Sequence, residues 1–151
     1  MALIDTLSAA RDDVLQQASD SLERTHLPHY EASGTEESRR RLNDLFDLVL
    51  VCLTKRDLDP ITHYAHRVAE ERFGAGFGIA EVQTAFNVLE EAIWRAVIAR
   101  LPAQELLESA GLIGTVLGAG KDALARTWVA SATSTHVPSL DLTALFEGLA
   151  N

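Results

Sequence analysis

The chain has 151 residues, the length of one ordinary domain, and almost half of them are hydrophobic, enough to bury roughly 70% of the surface that its unfolded form would expose. A formal charge of -9 argues against general nucleic-acid binding, and no apolar run approaches the roughly 18 residues that a membrane span requires. The single cysteine, Cys52, lies in the apolar run LFDLVLVCL, which rules out an internal disulfide and suits a buried thiol in a reducing, cytosolic setting.

Residues 3–25 place Ile4, Leu7, Val14, Leu15, Ala18 and Leu22 on one stripe at helical spacing, which predicts a first amphipathic helix. The stretch THLPHYEASGTEE then reads as a loop, with Ser33 or Thr35 placed to accept the bare amide hydrogens of the next helix. That second helix is expected over 36–56, with Leu42, Leu45, Phe46, Val49, Leu50 and Leu53 on its inner face. Arg39, Arg40 and Arg41 near its start form either a solvated face or a grip for an acidic partner. In RDLDPIT, Asp59 is a cap candidate and Pro60 fits a first helical turn, where its missing N–H costs nothing. A third helix follows over 60–73.

The next stretch, Gly74-Ala-Gly76-Phe-Gly78, is not the Gly-x-Gly-x-x-Gly of a dinucleotide site, and the preceding segment reads as helix rather than strand. The spacing predicts a helix stop at Gly74, a left-handed turn and a new start near Gly78. Helix four, over 79–101, carries Val82, Ala85, Phe86, Leu89, Ile93, Trp94, Val97 and Ile98 and should be the central core helix. After Pro102 a last long helix runs to about Ser134, interrupted by Gly111, Gly114, Gly118 and Gly120, with a kink expected there. Gly111, Gly114 and Gly118 fall within about 60° of one another, so they form a smooth stripe for a neighbouring backbone in the same chain, a homodimer seam or a ligand wall. Residues 136–151 read as a tail, in which Leu142, Leu145 and Phe146 could face a docking surface from one short helix. The expected organisation is a helical domain over 1–135, all-α with about five to six helices, followed by this tail.

Few residues point to chemistry. His63 and His66 sit three apart on the third helix, a metal pair only if other ligands converge on them, and His66 is the one candidate for an axial haem ligand. The acidic pairs Glu70–Glu71 and Glu90–Glu91 are adjacent, so their side chains diverge by about 100° and cannot serve one bond. No activated nucleophile or acid–base pair emerges, and neither catalytic residue nor resident cofactor is expected. Trp94 and Trp128 lie on apolar stripes as core residues, or as cavity lining if the bundle holds a cavity.

Arg67 and Arg72, the run Gly76 to Val82, and Leu89, Ala92, Ile93 and Trp94 together resemble the N-terminal domain of the RsbR and RsbRD co-antagonist proteins of bacterial stressosomes. The resemblance extends over about Asp12 to Thr133. It implies a dimeric, globin-like helical domain without haem, acting as a sensory or regulatory input through a partner protein or an output domain beyond Asn151. The alternative is a globin-type sensor of a small ligand or haem. The shared motif consists of packing and turn residues and carries over no catalytic group.

Overall fold

The apolar stripes fold into seven α-helices and no strand among the described residues, 2–136 of a computed structural model. The helices are α1 (Ala2–Ala9), α2 (Arg11–Arg24), α3 (Pro28–Ser33), α4 (Thr35–Lys55), α5 (Asp59–Gly74), α6 (Ile79–Arg100) and α7 (Ala103–His136). The all-α reading holds, but two elements raise the helix count. The expected first helix bends at Ala10, where φ −92° and ψ 5° depart from helical values, although no glycine or proline marks the place. The bend lets α1 bury Leu3 and Leu7 while α2 buries Val14, Leu15, Ala18 and Leu22, with both helices against α6. The expected loop at 26–35 contains α3, whose first turn holds Pro28 and whose Tyr30 is buried.

The capping residues also differ from expectation. Ser33 Oγ donates to the carbonyl of His29 at 2.8 Å and Thr35 Oγ1 to Glu23 at 2.7 Å. Both hydroxyls are therefore engaged away from the bare amides of α4, whose N-cap is Gly34. At α5 the carboxylate that serves is Asp57, which accepts from the Asp59 amide at 3.0 Å, and Pro60 occupies the first turn as expected.

The three central glycines form a turn. Gly76 takes φ +87°, its amide donates to the Phe73 carbonyl at 3.1 Å, and the Phe77 amide reaches back to Arg72 at 3.0 Å. These two bonds make a Schellman motif, which satisfies carbonyls at the end of α5 and requires left-handed backbone angles that glycine adopts at little cost. Gly78 is the N-cap of α6, and its amide donates to Glu81 Oε1 at 3.2 Å.

α6 is the centre of the core, burying Val82, Phe86, Leu89, Ile93 and Val97 among others and packing against α1, α2, α4, α5 and α7. The last helix runs through all of its glycines without a break in helical assignment, and its widest packing is against α5. Of its four glycines, Gly120 is the one packed against neighbouring helices: a Cβ there would lie 3.0 Å from Phe86 Cε1 and 3.2 Å from Ile61. The tail, with Leu142, Leu145 and Phe146, lies outside the described residues.

Two substitutions separate the roles of the glycines on α7. Gly120→Val forces overlap with Phe86 and Ile61 and should cost about 1–3 kcal/mol. Gly111→Ala meets no atom of the described residues within 4 Å, so within a single copy of the chain it should be neutral or stabilising by up to about 1 kcal/mol, from helix propensity alone. Urea unfolding midpoints check both, and equal effects at the two positions would contradict the assignment.

Candidate functional site

The Gly76–Val82 turn is the hub of a cluster that joins α3, α4, α5 and α6. Phe77, the residue that follows the left-handed glycine, is held beneath the end of α5. The His29 ring stacks on it with centroids 4.5 Å apart, and Tyr30 meets it edge-on at 5.5 Å. Two guanidinium groups lie over the same ring, Arg72 at 5.7 Å and Arg41 at 5.8 Å from its centroid. Such contacts contribute on the order of 0.5–2 kcal/mol each, more where water is excluded.

Glu81, in the first turn of α6, ties this cluster to the backbone. Its carboxylate accepts from the His29 ring nitrogen Nδ1 at 2.9 Å, the His29 amide at 3.3 Å and the Gly78 amide at 3.2 Å. Burial is the largest single influence on this carboxyl and pushes its pKa up, yet the hydrogen bonds from Gly78 and His29 together outweigh it and hold the pKa below the ordinary value. A negative side chain at this helix start also faces the positive end of the α6 dipole.

Arg72 is 7% exposed, a burial that a charged side chain rarely reaches without a partner. Its Nη1 donates to the Tyr30 hydroxyl at 3.3 Å. Burial pushes the Tyr30 hydroxyl pKa up, with Arg72 and Arg41 pulling the other way. The arginine stands out in the sequence only as part of a helix end. Periodicity alone does not separate a buried guanidinium from an exposed one.

The stripe of Gly111, Gly114 and Gly118 faces outward. All three are exposed, and no atom of the described residues lies within 4 Å of the place where a Cβ would sit. An intramolecular crossing at these three is therefore not observed among the described residues; the close crossing is at Gly120, about 200° further round the helix from Gly118. Leu107 and Val129, on the same outward stripe, are 86% and 62% exposed.

The remaining sequence candidates disperse. Arg39 donates to Gln16 across to α2 at 2.8 Å, Arg40 pairs with Glu37 and Asp44 on its own helix, and Arg41 turns inward to Ser33, Glu37 and the aromatic cluster. As three successive residues they do not form one patch. His66 is exposed, with Nδ1 2.9 Å from Thr127 Oγ1 and Nε2 3.3 Å from Glu70, and His63 is exposed one turn away. No group of three or more potential metal ligands converges among the described residues. Trp128 packs edge-on to Phe73 at 5.6 Å, and Trp94 lies partly buried against the core. No helix among the described residues is long and apolar enough to cross a membrane.

The family model of the RsbT co-antagonist protein rsbRD N-terminal domain matches residues 12–136. No curated protein and no solved structure matches the chain.

The Glu81 network makes stability depend on pH in a defined direction. Its pKa is depressed on folding, so its contribution is complete above the ordinary carboxyl value of 4.5 and is lost as pH falls through the folded pKa. Glu81→Gln should cost about 1–3 kcal/mol near neutral pH, and the gap to the parent should narrow below pH 4.5. Urea titrations at pH 7 and at pH 3.5 measure the gap, and a constant difference would argue against the network.

Proposed function

The chain belongs to the family of RsbT co-antagonist protein rsbRD N-terminal domains, and from that membership we propose a non-enzymatic regulatory module of bacterial stress signalling. In this reading it works in the cytosol, pairs with a second copy of itself, and passes its state to a partner protein or output domain by contact. The observation that carries the pairing is the outer face of α7. Glycine in a helix interior costs about 1 kcal/mol relative to alanine, so three exposed glycines on one stripe need a compensating contact. A second helix backbone approaching Gly111, Gly114 and Gly118 supplies one, with the exposed Leu107 and Val129 adding apolar area at the two ends of the stripe. A two-fold axis would present the same stripe from both copies, which is the commonest way to close a soluble dimer.

Further contacts are assigned to the remaining candidate surfaces. Arg39 and Arg40, on the outer side of α4, and the apolar tail residues Leu142, Leu145 and Phe146 are proposed to meet the regulatory partner. The side chains of Arg39 and Arg40 bond to exposed groups, and such surface pairs hold their partners by little more than about 1 kcal/mol. They can exchange those pairs for an acidic partner at small cost.

Light scattering across a size-exclusion peak tests the pairing. A colourless species of about twice the chain mass of 16.4 kDa is expected. Gly114→Leu should convert it to a folded monomer, because no atom of the described residues lies within 4 Å of a Cβ at that position and the collision arises at the seam. A dimer that persists in Gly114→Leu with unchanged affinity would move the interface elsewhere.

A further inference from the structure

A cleft of about 280 Å³ opens between α2, α3 and the start of α4. Its base is apolar: Leu22 and Tyr30 are 3% and 4% exposed, and Leu27 packs partly buried against the same core. Its rim carries two exposed carboxylates, Glu23 from α2 and Glu31 from α3, and neither a lysine nor an arginine lines it. We propose that this cleft binds one small organic ammonium ion with an apolar aryl or alkyl body. Ligand pockets typically join an apolar lining to a few placed polar groups and span roughly 300–1,000 Å³, so a cleft just below that range suits a ligand with one ring or a short chain.

The rim is fixed and retains capacity to accept. Glu23 accepts from the Thr35 hydroxyl at 2.7 Å, and Glu31 Oε1 lies 2.7 Å from His26 Nδ1. Each carboxylate is thus held through one oxygen, whereas the group has about four lone-pair sites. An ammonium is a pure donor and answers that surplus. The nearest positive side chains, Arg41 and Arg72, line the packed interior beyond Tyr30 and not the cleft, which places the charged head at the rim and the apolar body on Leu22, Leu27 and Tyr30. One feature of the wall opposes a cation: α4 begins here with no side-chain cap, and a helix start is electropositive. Glu36 and Glu37 in the same first turn offset it.

The cleft is joined to the rest of the fold through α3. The two residues that take positive φ on either side of this helix, His26 at 52° and Gly34 at 87°, both line the cleft. Tyr30 forms part of its base and meets Phe77 edge-on at 5.5 Å, and its neighbour His29 bonds to Glu81 at the start of α6. An occupant seated on Tyr30 therefore bears on the turn between α5 and α6. The site does not rest on the regulatory reading, because binding is measured on the chain alone and stands or falls without any output partner.

The test titrates the full chain with phenethylammonium at fixed ionic strength and follows amide chemical shifts, with neutral phenethyl alcohol and anionic hydrocinnamate as comparators of similar shape. Saturable shifts confined to residues around the cleft are expected, with a Kd on the order of 1 mM for so small a probe and at least tenfold weaker binding of both comparators. Glu23→Gln and Glu31→Gln, both at exposed positions and so compatible with folding, should each weaken the ammonium roughly threefold to fivefold, and the double variant should bind the ammonium no better than the alcohol. Equal affinity for alcohol and ammonium would reduce the cleft to an apolar hollow and overturn the proposal. Tighter binding of hydrocinnamate, shifts centred elsewhere, no saturation, or an undiminished ammonium response in the double variant would overturn it as well.

Discussion

The crossing of α7 over α5 and α6 at Gly120 sets the orientation of the longest helix. With only a hydrogen where other residues carry a Cβ, Gly120 lets Ile61 and Phe86 reach the α7 backbone. The same contact turns Ile113, Val116, Leu117, Leu124 and Trp128 toward the core. A helix cannot rotate one face inward without turning the opposite face out, so the stripe of Gly111, Gly114 and Gly118 reaches solvent because Gly120 does not. One glycine serves the interior of the chain, and the other three remain for a surface outside it.

The second organising element is the turn between α5 and α6. A Schellman cap positions Phe77, and the ring then gathers a histidine, a tyrosine and two arginines from α3, α4 and α5. Glu81 fixes the opposite side by accepting from α3 and from its own helix start. The family motif therefore has a physical content beyond packing. It joins the short α3 to the long helices and places a buried guanidinium at their junction.

Much of this was legible in the residues. The four longest helices appear at nearly the expected boundaries because their apolar positions repeat every three or four residues, and the central place of α6 followed from the strength of its pattern. The turn at Gly76 was readable because a left-handed position favours glycine. The bend at Ala10 was not, since alanine is a good helix former and the departure there is set by packing on α6. Nor was α3, whose six residues are too few to show a period. The capping residues went astray for a related reason: Ser33, Thr35 and Asp59 have the right chemistry, but partners distant in sequence or one turn away claimed two of them, and Asp57 served in place of the third.

By itself the sequence determined the helical class, the inner faces apart from Ile98, which was expected inward and is 61% exposed, the glycine turn and the family, since each depends on local spacing or on a contiguous motif. Only the tertiary structure decided which glycine on α7 packs inward, that Arg39 reaches α2, Arg40 stays on its own helix and Arg41 turns to the aromatic cluster, and that Arg72 is buried beside Tyr30. Those outcomes depend on which helices meet and at what rotation about their axes. A one-dimensional period fixes the width of an apolar face but not the neighbour it will find.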